Sequence, residues 1–393
     1  MEKIKRITHS LIKIMKKNRG KIISELLIYE SYEAAEDEFL RAVDCLENIE
    51  IEKNYLIESN VSSVSAFTPI NLPLYSLILF AIVPSLLSKK VYVRPPVALR
   101  EIYNKLFNII NLNQDLLNIK ISTLDRALFI EAYVSFSDVV LFTGKYENAL
   151  KIINHISPNS LFIYNGAGIN PIIINKDADL KIAVSSVIRA RLFNSGQDCA
   201  GPDCILVHHS IFPAFIKLLK KKIAKEMIGD YNNKKIRIGK LLNLNYGKLK
   251  KYLDDNKENL VYGGKIDKKS SVVLPTILCS NIADKQSYFE PFSPVFNISI
   301  FNSESEMSFY FQNNHYMNYA MYVSIFGTST YYKKIKNSVF LFNEIILDVE
   351  RGNLPYGGYG PRANFVYQNG EYQSEPILIS EQVYKWKSRE KFT

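Results

Sequence analysis

Between residues 60 and 166, short apolar segments with the character of strands alternate with helical stretches, and this alternation constrains the fold more than any other feature of the chain. The segments are VSSVSAF, KKVYVRPP, NIKIST, DVVLFTG and SLFIYNG, with an apolar helix after Pro73 and further helical stretches between them. Strands alternating with helices imply a parallel, doubly wound sheet. Such sheets bind nucleotides at the carboxyl ends of their strands. A second α/β block runs from near Asn170 to about Tyr359, and no Ser/Gly-rich linker or internal repeat separates it from the first. The two blocks are therefore expected to pack closely. A length of 393 residues is enough for two cores, and 47% apolar content argues against disorder.

The flanks read less regularly. MEKIKRITHSLIKIMKKNRG predicts an amphipathic surface helix ending near Gly20, without the continuous apolar core or small-residue cleavage site of a secretory signal. Apolar residues spaced by three and four over 21–48 predict one long amphipathic helix. The partial alternation of IEIEKNYLIE predicts an extended hairpin segment. LYSLILFAIVPSLL contains Pro84 and is too short to span a bilayer, so it reads as a buried helix. EPILISEQVYKW reads as one more strand or an extended arm, and an exposed apolar strand at a terminus calls for a partner. A homodimer or homotetramer would supply one.

Charge and cysteine usage exclude several classes. The net charge of +10 comes from Lys and Arg spread along the chain with no nucleic-acid-binding signature, which favours at most an anionic cofactor or substrate. Cys45, Cys199, Cys204 and Cys279 form no CxxC pair, so neither a metal site nor a disulfide framework is expected. The expected compartment is reducing and cytoplasmic, with no membrane partner.

Six segments, in one order, resemble the aldehyde dehydrogenase superfamily. TPINLPL resembles its Pro-Trp-Asn-Phe-Pro segment, VYVRPP the strand end that meets the adenosine ribose, and LFTG the strand and turn that approach the cofactor. NKDADLKIAVSSVIRARLFNSGQDC resembles the stretch that delivers the nucleophile. EPFSPV is similar to Glu-Ile-Phe-Gly-Pro-Val, and LPYGGYG to the Pro-Phe-Gly-Gly turn. The resemblance implies an α/β, aldehyde dehydrogenase-like fold. A Rossmann-type dinucleotide-binding domain is expected over 1–41 and 61–167, a catalytic domain over 168–361, and an oligomerisation hairpin and C-terminal arm over 42–60 and 372–393. It also implies that the chain starts late, lacking roughly the first fifty or more residues of most members.

The implied site follows residue by residue. Cys199 takes the nucleophile's place, and the flanking Gly196 and Gly201 permit tight backbone geometry around it. Asn71 takes the oxyanion-hole position, where an amide donates without adding charge; the plainer alternative is an Asn that caps the following helix. Glu290 and Phe292 are implied to hold the nicotinamide ribose, a carboxylate accepting from both hydroxyls. Pro69, Arg94, Gly144 and Lys145 complete the cofactor contacts, with Arg94 where lysine is usual. The family often has a ribose-binding glutamate three residues after that slot, and here the residue is Val97, so NADP is expected to bind at least as well as NAD.

Departures from the pattern are equally specific. The family's general base is a glutamate, and Asn165 stands in its slot; Cys204 replaces the usual arginine five residues after the nucleophile, and Lys145 the usual serine. Asn cannot take a proton from water, so either another base such as Glu344 serves, or a thiol resolves the acyl-enzyme. The readings are thus an NAD- or NADP-dependent enzyme oxidising a small-molecule aldehyde, an acylating or reductive enzyme using coenzyme A or an acyl carrier protein, and a non-catalytic scaffold that retains the fold.

Overall fold

The computed structural model describes residues 1–59, 61–111, 117–242, 245–284 and 286–390. Strands β1 (Val61–Phe67), β2 (Ser88–Arg94), β3 (Ile119–Ile121), β4 (Val139–Gly144) and β5 (Leu161–Gly166) run parallel in the order β5-β4-β1-β2-β3. This is the doubly wound order expected for a nucleotide-binding sheet, with its switch point between β1 and β4. Residues 139–142 are buried without interruption, as a strand covered on both faces requires. Beyond β5 the sheet is extended by the antiparallel strands Asn364–Gln368 and Glu371–Gln373.

The second sheet is built around β6 (Ile172–Ile174) and β7 (Ile205–His208). Val295–Phe301 and then Thr276–Asn281 lie outside β7, while Tyr322–Phe326 and then Val339–Phe342 lie outside β6; all run parallel, and Leu260–Tyr262 adds an antiparallel edge. Its core packs Val184, Val187 and Ile188 against Ile205, Val207 and Ile298.

The apolar segment after β1 is helical and buried, as its sequence predicts. It comprises α5 (Pro73–Leu77), a π-turn at Ile78–Ile82 and α6 (Val83–Leu87), with Pro84 at the start of the last. Proline lacks the N–H and crowds the preceding turn, and the wider π-turn accommodates it.

Four local expectations are corrected. The first helix, α1 (Glu2–Lys17), ends before Gly20, which lies inside α2 (Arg19–Leu26). The single helix expected over 21–48 is interrupted, because Ser31 accepts a hydrogen bond from Ala34 N at 3.3 Å and starts a separate α3 (Tyr32–Glu47). The segment expected to be an extended hairpin forms a 3-10 turn, Ile49–Glu52, and α4 (Lys53–Glu58). Ile49, Glu52 and Leu56 are its buried positions, a helical spacing that its partial alternation conceals. The C-terminal segment is the helix Ile379–Glu390, which buries Val383 and Trp386, three residues apart. The expectations for residues 60 and 391–393 fall outside the described residues. Among the described residues, no helix is long and apolar enough to cross a membrane.

Candidate active site

The loop carrying Cys199 is held by a buried charge. The helix Leu180–Leu192 is capped by Asp179, whose carboxylate accepts from Lys181 N at 2.8 Å and Ile182 N at 3.1 Å. Its buried face runs Val184, Val187, Ile188 and then Arg191, which is fully buried. Arg191 donates Nη1 to Pro202 O at 3.0 Å and Nη2 to Gly196 O, so one guanidinium ties both ends of the loop. Burial lowers its pKa, while the nearby carboxyls of Asp203, Asp198 and Glu290 oppose that shift.

Between these anchors the backbone turns sharply. Asn194, Ser195 and Gly196 have φ of 47°, 57° and 80°, a run of left-handed residues that costs energy for the two bearing Cβ atoms. Compensation comes from Ser195 Oγ, which accepts from Gly239 N at 2.9 Å and lies 2.5 Å from the Tyr231 hydroxyl. At Gly196 an added Cβ would lie 2.4 Å from the carbonyl carbon of Ser293. The EPFSPV segment therefore rests directly on the backbone of the nucleophile segment.

Cys199 is half-buried, with its sulfur 3.7 Å from the Tyr356 hydroxyl. Its carbonyl accepts from Asn170 Nδ2 at 3.0 Å, and Asp203 in turn accepts from Asn170 N at 2.9 Å. Burial, followed by the charge of Asp198, pushes the thiol up; the Tyr356 hydroxyl pulls the other way, and Glu290 and Glu350 add to the rise. Cys204 is buried against Ser299 Oγ at 3.4 Å. All four cysteines are free, and among the described residues no group of three or more His, Cys, Asp and Glu is arranged to hold a metal ion.

Asn71 is buried in the turn after β1 and donates Nδ2 to Gln197 O at 3.1 Å, two residues before Cys199. It does not cap α5: that position belongs to Leu72, in a left-handed conformation with φ of 48° and no side-chain cap. Thr143 Oγ1 donates to Phe67 O at 2.8 Å, so the carboxyl ends of β1 and β4 meet beside the turn containing the half-buried Pro69. There Gly144, with φ of 146°, and Lys145 are exposed. Glu290 is raised by burial and held down by Arg191, Lys248 and Lys145, which places its carboxyl within electrostatic reach of the β4 turn. Phe292 follows it, half-buried, with φ of 41°.

Arg94 ends β2, its guanidinium 6.0 Å from the centre of the Phe67 ring, and its Nε is buried without a partner. Burial and then the charges of Arg100 and Arg126 lower its pKa, with Asp125 opposing. A like-charged cluster with an unpaired donor at a strand's carboxyl end suits a phosphate. Asn165 lies on β5 between Thr143 and Asn364 of the neighbouring strands, with its Oδ1 buried and unpartnered. Among the described residues, no hydrogen bond links Asn165 or Arg94 to Cys199. Glu344, the other base considered, is exposed. Glu350 is a further carboxyl acting on Cys199, after Asp198 and Glu290; burial raises it to about 7 although Arg41 pairs with it at 2.9 Å.

Arg191, Asn170, Tyr356 and Glu350 were not singled out from the sequence. Arg191 carries a signal there, as a charge inside an apolar helical stripe, and Tyr356 another, as a tyrosine where the turn it resembles has phenylalanine.

This is a two-sheet α/β fold in which a nucleotide-type strand crossing faces a loop bearing a half-buried cysteine. A profile of the aldehyde dehydrogenase family matches residues 1–373, and the chain belongs to that family. It is 27% identical to 4,4'-diaponeurosporen-aldehyde dehydrogenase of Staphylococcus aureus over 64% of this chain and 55% of that protein. It is 31% identical to the dimeric NADP-preferring aldehyde dehydrogenase of Canis lupus familiaris, over 57% of this chain and 50% of that one. The chain thus spans about half the length of these curated relatives. Among solved structures, it resembles a glyceraldehyde-3-phosphate dehydrogenase from Methanocaldococcus jannaschii complexed with NADP. The TM-score is 0.74 at 19% identity, covering 98% of this chain and 87% of that one. An oxidoreductase from Marinobacter aquaeolei superposes with a TM-score of 0.81 at 17% identity, covering 98% and 84% of the two chains.

Proposed function

We propose that this protein is an NADP- or NAD-dependent oxidoreductase that oxidises an aldehyde, or reduces an acyl thioester, through a covalent adduct on Cys199. The observation that carries the reading is the Asn71 to Gln197 hydrogen bond, at 3.1 Å, which joins the turn after β1 to the loop holding the thiol. The relatives' names, one an aldehyde dehydrogenase described as NADP-preferring, point the same way.

The residues present fit a dinucleotide: Gly144 leaves backbone exposed beside Lys145, and the unpartnered Arg94 Nε calls for an anion. Pro69, Arg94, Gly144, Lys145, Glu290 and Phe292 would hold it. When bound, the dinucleotide supplies the hydride acceptor. Cys199, as thiolate, attacks the aldehyde carbon and forms the S–C bond while the carbonyl becomes an oxyanion. Asn71 and the Cys199 backbone N–H are the donors available to that oxyanion. Loss of hydride leaves a thioacyl group on Cys199, which a nucleophile then releases with return of the sulfur.

Two groups bear on which nucleophile that is. Asn165 offers no proton acceptor, which favours a thiol such as coenzyme A or a carrier-protein pantetheine. Glu350, a carboxyl raised to about 7 with electrostatic reach to Cys199, favours water.

The test compares wild type with Cys199→Ala, following reduced cofactor and acyl product over a series of aldehydes, with and without coenzyme A. Turnover is expected to vanish in Cys199→Ala while cofactor affinity stays within a few-fold. Residual activity above roughly a tenth of wild type would refute the assignment, since loss of a covalent nucleophile removes the adduct itself. Free acid formed steadily at a rate that coenzyme A does not change identifies water as the acceptor.

A further inference from the structure

We propose that Tyr356 is a catalytic residue whose hydroxyl donates a hydrogen bond to the Cys199 sulfur and stabilises the attacking thiolate. The proposal rests on the reading of Cys199 as nucleophile. The phenol oxygen lies 3.7 Å from Sγ, within the range of a hydrogen bond to sulfur. It is also the one atom by which LPYGG departs, at that position, from the Pro-Phe-Gly-Gly turn it resembles.

The contact is built, since the backbone on both sides of it is fixed. Tyr356 pairs with Ile377 through N–H to carbonyl bonds of 3.0 and 2.8 Å, forming an antiparallel bridge. Gly357 N donates to the Tyr322 hydroxyl at 2.7 Å, and the Tyr322 and Tyr356 rings lie 5.7 Å apart. On the other side, Asn170 holds the Cys199 carbonyl and Arg191 holds the ends of the loop. The backbone beneath both partners of the O–H to sulfur contact is therefore held in place.

The electrostatics explain why the thiol needs this donor. The charged and titratable groups acting on Cys199 are Asp198, Glu290 and Glu350, all of which oppose ionisation as burial does, and Tyr356, which favours it. Those acting on Tyr356 are Cys199, Glu350, Tyr322 and Asp198, and together with burial they hold the phenol well above its ordinary range. The phenol therefore stays protonated over the working pH range and acts as a donor. When Cys199 ionises, the proton leaves to solvent and the sulfur's lone pairs accept the Tyr356 O–H; no other bond is made or broken.

The experiment measures the rate of Cys199 alkylation by iodoacetamide against pH, read by mass spectrometry of the Cys199 peptide, alongside kcat/KM for an aldehyde. In Tyr356→Phe the midpoint is expected to move up, and alkylation at neutral pH to slow about tenfold or more, the order for a hydrogen bond to a charged group. Tyr356 replaced by 3-fluorotyrosine keeps the shape of the side chain and strengthens the donor, so its midpoint should move down. Tyr359→Phe removes an exposed hydroxyl three residues further along the chain, and the midpoint should stay in place. An unchanged midpoint in Tyr356→Phe, or the same upward shift in Tyr359→Phe, overturns the proposal while leaving Cys199 as nucleophile. Retained turnover in Cys199→Ala overturns the underlying reading instead.

Discussion

Arg191 shows how much of this site depends on one side chain distant from any chemistry. Its guanidinium is fully buried and spends its donors on the carbonyls of Gly196 and Pro202, and Gly201 packs so closely that an added Cβ would lie 3.0 Å from Nη2. Replacing it with methionine keeps the volume but frees both carbonyls and leaves Asp198 and Asp203 without their cation. Arg191→Met is expected to cost about 3 kcal/mol in urea unfolding, the order for leaving two buried carbonyls without their donors, and to reduce turnover in the molecules that remain folded. A loss below about 0.5 kcal/mol, the level of an ordinary surface substitution, would show that the loop holds its shape without it. Asn71 acts on the same loop from the other side. Asn71→Ala should lower kcat by about a hundredfold, the size for one oxyanion donor, whereas an unchanged kcat with a lower Tm would reduce it to a tie for the Gln197 carbonyl.

Among the elements, α3 carries an acid where a helix facing a core would carry leucine. Glu38 is buried and accepts from Leu74 N at 3.1 Å and Tyr75 N at 3.0 Å, fastening α3 to the first turn of α5 immediately after Asn71. Glu30 is buried beside it, and burial raises both carboxyls, Glu38 to about 7 and Glu30 well above its ordinary value. An acid whose folded pKa lies above its unfolded value stabilises the fold fully below the unfolded value, and that stability is lost as pH rises through the folded one. The pair should therefore make the protein less stable between about pH 5 and pH 8, and Glu30→Gln should flatten that slope. Melts at both pH values test this; the variant, with one raised carboxyl of the pair removed, should lose less stability than wild type between them. A parallel slope in wild type and variant would remove Glu30 from the account.

The same helix shows where sequence reading works and where it stops. Apolar strand runs such as VVLF and LFIY identify themselves because a strand buried on both faces has little alternative. The helices at 49–58 and 379–390 were missed because their buried positions include Glu52 and Ser380. Ser380 Oγ donates to the Glu52 carboxylate, which also accepts from Asn353 Nδ2 at 2.6 Å. Polar residues that satisfy one another in the interior break the hydrophobic period. Cys199, Asn71 and Glu290 were singled out because their neighbours in sequence are distinctive. Tyr356 and Asn170 act through contacts that exist only after folding.

For the whole molecule, the first sheet gathers Arg94, Arg100 and Arg126 near the carboxyl end of β2. Arg100 Nη2 donates to Leu124 O at 2.8 Å and Arg126 Nη2 to Asn148 O at 3.2 Å, so both are tied to backbone, while the Nε atoms of Arg94 and Arg100 are buried and unpaired. NADP is expected to bind at least as tightly as NAD, with Arg94→Ser weakening NADP by roughly tenfold or more, the scale of losing a charge-assisted phosphate contact, and NAD only a few-fold. Fluorescence titration of both cofactors checks this, and an NAD preference of about tenfold or more in the wild type would refute it. The identity of the aldehyde stays outside what motif spacing conveys, because one fold serves many substrates.

The strand Asn364–Gln368 pairs with β5, and Tyr356 pairs with Ile377, so the first sheet is finished, and the thiol meets its phenol partner, only through chain synthesised after the second sheet. A ribosome making this protein N-terminus first therefore holds an incomplete nucleotide-binding domain until nearly all of the described chain has emerged. Contacts of such long sequence separation form late and slowly. From its own synthesis until Tyr356 has followed, Cys199 therefore sits in the nascent polypeptide without the phenol contact at its sulfur.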